Sequence, residues 1–146
     1  MVNLTRNKNL YQNLSQNDTF SDRLTILLFH FCFFLKLFKI ENSKEEMQKI
    51  HDFFFRQIEL SVREIGYGDA SINKKMKNYI NFLYSIIDKI HKWDHISDKE
   101  KKEILEFYIN LKGNSDKLVK YFNNYEKYLI KTSLNLFTKS VINHRF

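Results

Sequence analysis

The sequence contains no proline, three glycines and one cysteine in 146 residues, and each scarcity narrows what the chain can be. Tight turns are built largely from glycine and proline, so their shortage argues against an all-β sandwich or barrel and for long helices joined by few loops. The single cysteine, Cys32, rules out an intramolecular disulfide and fits a reducing compartment. It lies in an apolar run, where a buried and inert thiol is the default. Long apolar runs are scarce too. The uninterrupted stretch from Phe31 to Leu35 is bounded by His30 and Lys36, whereas a membrane-spanning helix needs about 20 apolar residues. No small-residue cleavage site follows it, and residues 1–20 are rich in asparagine rather than arginine. Neither a signal peptide nor a mitochondrial presequence is therefore expected, and a bacterial-type cytoplasm is the expected site of synthesis and use.

Catalytic signatures are missing as well. There is no phosphate loop, no nucleophile elbow and no dinucleotide fingerprint; Gly66 and Gly68 alone do not make one. His91 and His95 are four apart with Asp94 between them, a spacing that can approach one metal from a helix face. Without a third ligand or a His-Glu pair, no metal site is expected, and no cofactor. His30, inside an apolar helix, reads as a satisfied core histidine. An enzyme is not expected.

What the chain has in quantity is aromatic side chains and positive charge: 14 Phe, 8 Tyr and a formal net charge of +7. The charge suits an anionic partner such as nucleic acid, a ribosome or an acidic membrane surface. A plainer reading competes with it, because abundant Lys, Asn, Ile and Phe beside scarce Pro, Gly and Ala is the composition of an AT-biased genome.

Along the chain, residues 1–20 form a polar arm or short helix with apolar Leu4, Leu10, Tyr11 and Leu14. A helix over about 22–40, capped by Ser21 or Asp22, is apolar nearly all round and is expected to be central. Ser43-Lys44-Glu45-Glu46 is a capping-box pattern opening a helix over about 44–65, whose apolar face is Met47, Ile50, Phe54, Ile58, Val62 and Ile65. Gly66 is placed to end it in the left-handed conformation. Asp69 or Ser71 caps a helix over about 71–92 with the stripe Ile72, Met76, Tyr79, Ile80, Leu83, Ile86, Ile87 and Ile90. A second capping box at Ser97 opens a helix over about 98–111, with Ile104, Leu105, Tyr108 and Leu111 inward and Gly113 as its stop. A last helix over about 115–131 carries Leu118, Tyr121, Phe122, Tyr125 and Leu129, and residues 132–146 extend it or fray. The expected fold is all-α: one domain over 21–131, a bundle of five to six helices around a long helical hairpin.

That hairpin, 53–77, holds the features that simple helix chemistry does not explain. Consecutive Phe53, Phe54 and Phe55 fan over about 200° of helix surface. Either the helix is sandwiched between two layers and all three are core, or one side offers an apolar groove to another helix. Arg56, Glu59 and Arg63 have ion-pair spacing. Glu64 in the last turn opposes the helix dipole, as do Lys74, Lys75 and Lys77 in the first turns of the next helix. The expected resolution is a clasp of Glu64 with these lysines across the loop, which leaves Arg56, Arg63 and the outward phenylalanine for partner contact.

The same residues resemble the ubiquinol–cytochrome c chaperone family, assembly factors of the respiratory cytochrome bc complex. The pattern is Phe53-Phe54-Phe55-Arg56, then Arg63-Glu64 before Gly66, Gly68-Asp69, Lys74-Lys75-Met76-Lys77 and an aromatic at Tyr84. It extends upstream through Leu10-Tyr11 and Leu28-Phe29-His30-Phe31, and downstream to Asn110-Leu111 and Gly113, covering about residues 10–130. The resemblance implies a helical, non-enzymatic chaperone that binds nascent or newly inserted cytochrome b, with no small-molecule substrate. It also implies contact with a ribosome or the anionic inner membrane, a small helical partner protein, and a place peripheral to the bacterial inner membrane or on the mitochondrial matrix side. With the charge argument, it nominates Phe53, Phe55, Arg56, Arg63, Glu64, Tyr67, Asp69, Lys74, Lys75 and Lys77 as the partner-binding set. The competing readings are a basic helical module for nucleic acid or ribosome, and a helical homo-oligomer whose exposed phenylalanines pair with another copy.

Overall fold

Thr19 starts the helix around which the other elements pack. Its side-chain oxygen accepts a hydrogen bond from the Asp22 amide at 3.2 Å, and the Asp22 carboxylate accepts one from the Thr19 amide at 3.3 Å. This reciprocal cap satisfies two donors that a bare helix end would leave open. The cap lies upstream of the expected Ser21 or Asp22, because Asp22 serves as the closing acid of the box rather than as the cap itself.

The computed structural model describes residues 2–6, 10–11, 19–39, 42–109 and 115–132. Its helices are α1 (Val2–Thr5), α2 (Phe20–Phe38), α3 (Lys44–Glu64), α4 (Asp69–Ile90), α5 (Asp98–Tyr108) and α6 (Asp116–Ile130), with a 3-10 turn at Trp93–His95 between α4 and α5. The described residues include six α-helices and no strand, so the protein is all-α and the expected bundle is observed. The expected stop at Gly113, the inward Leu111, the resemblance at Asn110, the apolar Leu14 and the extension over 133–146 lie outside the described residues.

α2 is buried on almost every side: Ile26, Leu28, Phe29, Phe33 and His30 have no exposed surface, and Phe31, Phe34 and Phe38 almost none. A helix without a wet face must be enclosed, and α1, α4 and α6 enclose it. The packing is aromatic. Phe33 lies edge-on to Trp93 at 5.3 Å between centroids and stacks on Phe122 of α6 at 5.5 Å. Phe29 meets Phe122 at 5.5 Å and Tyr108 of α5 at 5.8 Å. Such ring pairs add about 0.5–1.5 kcal/mol beyond the area they bury. Cys32 is buried, its thiol pushed up by desolvation and turned to the Leu83 carbonyl of α4, which bears out the inert-thiol reading.

Polar groups inside this core are matched one by one. His30 Nδ1 contacts the Ile26 carbonyl at 2.7 Å and must donate to it, since a carbonyl only accepts. Nε2 therefore accepts from the Tyr121 hydroxyl, also at 2.7 Å. Burial lowers the imidazole pKa to about 4 against the opposing pull of the Ile26 bond. At the end of α2, Lys36 Nζ reaches Asp94 of the 3-10 turn at 2.7 Å and Glu126 of α6 at 2.8 Å. Burial raises the Glu126 carboxyl despite Lys36. Burial also pushes Asp94 upward, but the Lys36 hydrogen bond and charge outweigh it, and Asp94 is lowered overall. Lys36 thus ties three elements together. Asp94 belongs to this clasp, and the His91 Nδ1 meets the Ile87 carbonyl at 2.9 Å.

Two measurements test this core. Phe33→Ala should lower the unfolding free energy by about 3–5 kcal/mol in urea titrations followed by circular dichroism, whereas Phe53→Ala should stay within about 0.5 kcal/mol. Stability should also depend on pH through His30. The unfolded imidazole binds its proton near 6.5 and the folded one near 4, so the stabilisation is complete above pH 6.5 and is lost as pH falls toward 4. The loss amounts to about 3 kcal/mol, and the pH dependence of His30→Gln should be flatter by that amount.

Candidate partner-binding hairpin

α3 opens with the expected box: the Ser43 hydroxyl accepts from the Glu46 amide at 3.2 Å, and the Glu46 carboxylate accepts from the Ser43 amide at 2.9 Å. The bonds that the Ser43 amide and hydroxyl donate to it, at 2.9 and 3.0 Å, hold the Glu46 carboxyl below the usual carboxylate range. α3 packs against α4 and buries Phe55, Ile58 and Val62. Ile65 is the exception on the expected apolar face: it is exposed, because the chain leaves the helix there and turns away. Gly66 has φ +100°, a conformation that side chains with a Cβ adopt only under strain. Its amide donates to the Arg63 carbonyl at 2.9 Å, closing the end of α3.

α4 then begins at Asp69, two residues before the expected start. Gly68 occupies the cap position with no side-chain cap bond, and the Ser71 hydroxyl donates to the Gly68 carbonyl at 2.8 Å. The earlier start moves Lys74, Lys75 and Lys77 beyond the first turn, where the dipole's influence fades. Their expected misfit is largely removed, and Asp69 instead places an acid where the dipole favours one.

The clasp across the loop is made by different residues from those expected. Arg63 donates to Glu59 on its own helix at 2.8 and 3.0 Å and to Asp69 at the start of α4, and both bonds raise its pKa. Lys75 lies over the Tyr67 ring, 4.1 Å from its centroid. Glu64, expected to pair with Lys74, Lys75 or Lys77, has no ion-pair partner among the described residues. The correction has a geometric cause. Arg63 is one residue, about 100°, around the helix from Glu64, and its fork reaches Asp69.

The three phenylalanines divide. Phe55 is 6% exposed and belongs to the core; a partner cannot reach its ring without moving α3. Phe54 is half-buried and stacks on Phe31 of α2 at 3.7 Å and 12°. Phe53 is 66% exposed. The sandwich reading thus fails at Phe53, and Phe55 is not a surface residue. Leu60, not singled out in the sequence, is 44% exposed. It lies seven residues from Phe53, within about 20° on the helix wheel, on the side opposite Phe55, Ile58 and Val62. The same heptad spacing was available in the sequence, but an exposed leucine and a core leucine look alike before the neighbours are placed.

Arg56 sits beside this pair, one turn from each, exposed and without an ion pair among the described residues. His51 lies on the inner side, with its ring 4.7 Å from Phe55 and 6.5 Å from Tyr84; both its ring nitrogens are covered, neither has a hydrogen-bond partner among the described residues, and Nδ1 lies 3.5 Å from the Asp52 carboxylate. The outer face of α3 therefore offers apolar contact with a cation beside it, a surface suited to binding. Among the described residues, no group of three His, Cys, Asp or Glu side chains is placed to hold a metal ion, and no helix is long and apolar enough to cross a membrane.

Comparison with known proteins places this hairpin in context. The sequence model of the family described as Ubiquinol-cytochrome C chaperone matches residues 12–105, a span that holds α2, α3, α4 and most of α5. No curated protein and no solved structure matches the chain.

The turn can be tested through its glycines. Neither Gly66 nor Gly68 has an atom within 4 Å of an added Cβ, so space is not the issue. Gly66→Ala should cost about 1–2 kcal/mol through backbone strain alone, and Gly68→Ala, with an ordinary φ but at an N-cap where alanine is worse than glycine, should cost less than about 1 kcal/mol. Thermal unfolding of the two variants measures the difference.

Proposed function

The chain belongs to the ubiquinol-cytochrome C chaperone family, and we propose that it assists assembly of the respiratory cytochrome bc complex by holding newly made cytochrome b on the outer face of α3. The observation that carries the proposal is the pairing of exposed Phe53 and Leu60 on the face opposite the buried stripe. A core helix has no use for large apolar groups on its wet side, whereas an apolar segment of a membrane protein awaiting its partners needs such a surface. Arg56 adds a cation that suits an acidic or phosphate-bearing neighbour at the membrane surface. The fixed hairpin turn matters because a surface held rigid before binding loses less entropy on capture.

In this reading the protein acts by binding rather than by catalysis, and it works peripherally at the inner membrane, on the cytoplasmic side in a bacterium or the matrix side in an organelle. Of the nominated residues, Phe53 and Arg56 are the contact residues, with Leu60 added. Arg63, Asp69, Tyr67 and Lys75 hold the turn. Lys74 and Lys77 form an exposed basic edge beside it. The nucleic-acid alternative draws less support, because the cations of α3 alternate with Glu45, Glu46, Glu59 and Glu64 rather than forming a continuous basic face.

Deleting the gene should lower spectroscopic b-type haem in the bc complex while cytochrome b transcript persists. Restoring the gene as Phe53→Glu with Leu60→Glu should leave helicity and melting unchanged but reduce cytochrome b recovered on the tagged chaperone at least about tenfold. Normal b-type haem in the deletion strain, or undiminished capture by the double variant, would overturn the proposal.

A further inference from the structure

The far end of α4 carries a second surface that the hairpin does not use. A groove of about 820 Å³ runs between the last turn of α4, the residues flanking the 3-10 turn and α5. Its apolar part is formed by Ile96, Ile104 and Tyr108, and Phe107 stands beside them, 81% exposed, its ring edge-on to Tyr108 at 4.9 Å. A phenylalanine this exposed is a knob without a hole of its own. It lines the groove, whose apolar part at Ile96, Ile104 and Tyr108 offers contact to a second ring.

The charges of the rim indicate what fills it. Asp88, Glu100 and Glu103 stand with Lys89 and Lys92 around the opening. Among the described residues, Asp88, Glu103, Lys89 and Lys92 make no ion pair within the chain. Other charges of α5 are engaged: Lys102 with Asp116 at 2.5 Å and Lys101 with Asp98 at 3.6 Å. A surface that carries knob and hole, and both signs of charge, is complementary to itself. A two-fold axis brings each group of one copy to the other group of its mate. On a chain of net charge +7, two copies repel over most approaches, and this patch of mixed sign offers a favourable one.

We propose that this groove is the interface of a weak homodimer, in which Phe107 of each copy enters the groove of the other while the acids of one rim face the lysines of the opposite rim. The patch spans only the end of α4 and the length of α5, a small surface, so association is weak and reversible. The groove is lined by residues of α4, α5 and the segment between them and by none of α3, so the dimer leaves the outer face of α3 free.

The test is sedimentation velocity of the full chain from low to high micromolar concentration. The wild type should show a monomer–dimer equilibrium, and Phe107→Glu should weaken it at least about tenfold. The decisive arm uses two charge variants, Asp88→Lys with Glu103→Lys and Lys89→Glu with Lys92→Glu. Each alone should be monomeric through like-charge repulsion, and their mixture should recover a dimer of mixed composition. Circular dichroism of each variant checks that its helices are intact. A wild type that stays monomeric throughout, variants that dimerise alone, or a mixture that stays monomeric would each overturn the proposal. In the first case, the groove would belong to a different partner.

Discussion

Enclosure of α2 is the constraint on which the rest of the structure depends. Its run of phenylalanines and aliphatic residues leaves no side that water can wet, so burying it requires neighbours all round rather than on one face. α4 supplies most of that cover, α1 and α6 complete it, and the rings of Phe29, Phe33, Phe122 and Trp93 interlock around it. Every polar group carried into this interior then needs a partner in place. His30 has two, and Lys36 holds the carboxylates of Asp94 and Glu126. The Lys36 contacts also define how the turn after α4 sits, since Asp94 lies in the 3-10 segment that brings Trp93 into the core.

α3 stands apart from that requirement. It covers α4 and touches α2 through Phe54, but one buried stripe satisfies it, and its other side is free to carry side chains chosen for something besides folding. The division of Phe53, Phe54 and Phe55 follows from the 100° step of the helix once the position of α4 is set: one ring inward, one at the edge, one outward. The turn that fixes the hairpin relies on a positive φ at Gly66 and on the bridge of Arg63 to Asp69. Both are local devices. Exposed ion pairs of this kind contribute little to overall stability, but they orient two long helices at the point where they diverge.

The family match and the hairpin geometry bear on each other. The matched span contains the whole hairpin and the central helix, so the elements that define the family are also those that build and present the outer face of α3. The groove at the opposite end is formed partly by α5, at the edge of that span. Partner capture on the outer face of α3 and self-association at the far end of α4 would use separate surfaces, with the buried stripe of α4 as the scaffold for both.

Much of the architecture was legible in the residues because it depends on short-range rules. The capping boxes at Ser43 and Ser97, the stop at Gly66 and the three-and-four spacing of apolar positions are readable within a turn or two of helix, and they located α3, α4, α5 and α6 closely. The central place of α2 followed from the absence of a polar face. What the residues could not reveal depends on which surfaces meet. Nothing local distinguishes Phe53 from Phe55, Leu60 from a core leucine, or Phe107 from Tyr108. Their exposure is set by the position of a neighbouring helix, and that position comes from packing α2. The clasp departs from expectation for the same reason: Glu64 and Arg63 are adjacent in sequence, but only the angle at which α4 departs brings Asp69 within reach of one and leaves the other to solvent. Sequence determined the helices and their buried stripes because hydrophobic periodicity and end caps act within a single element. Tertiary structure decided the candidate surface because exposure is a relation between elements.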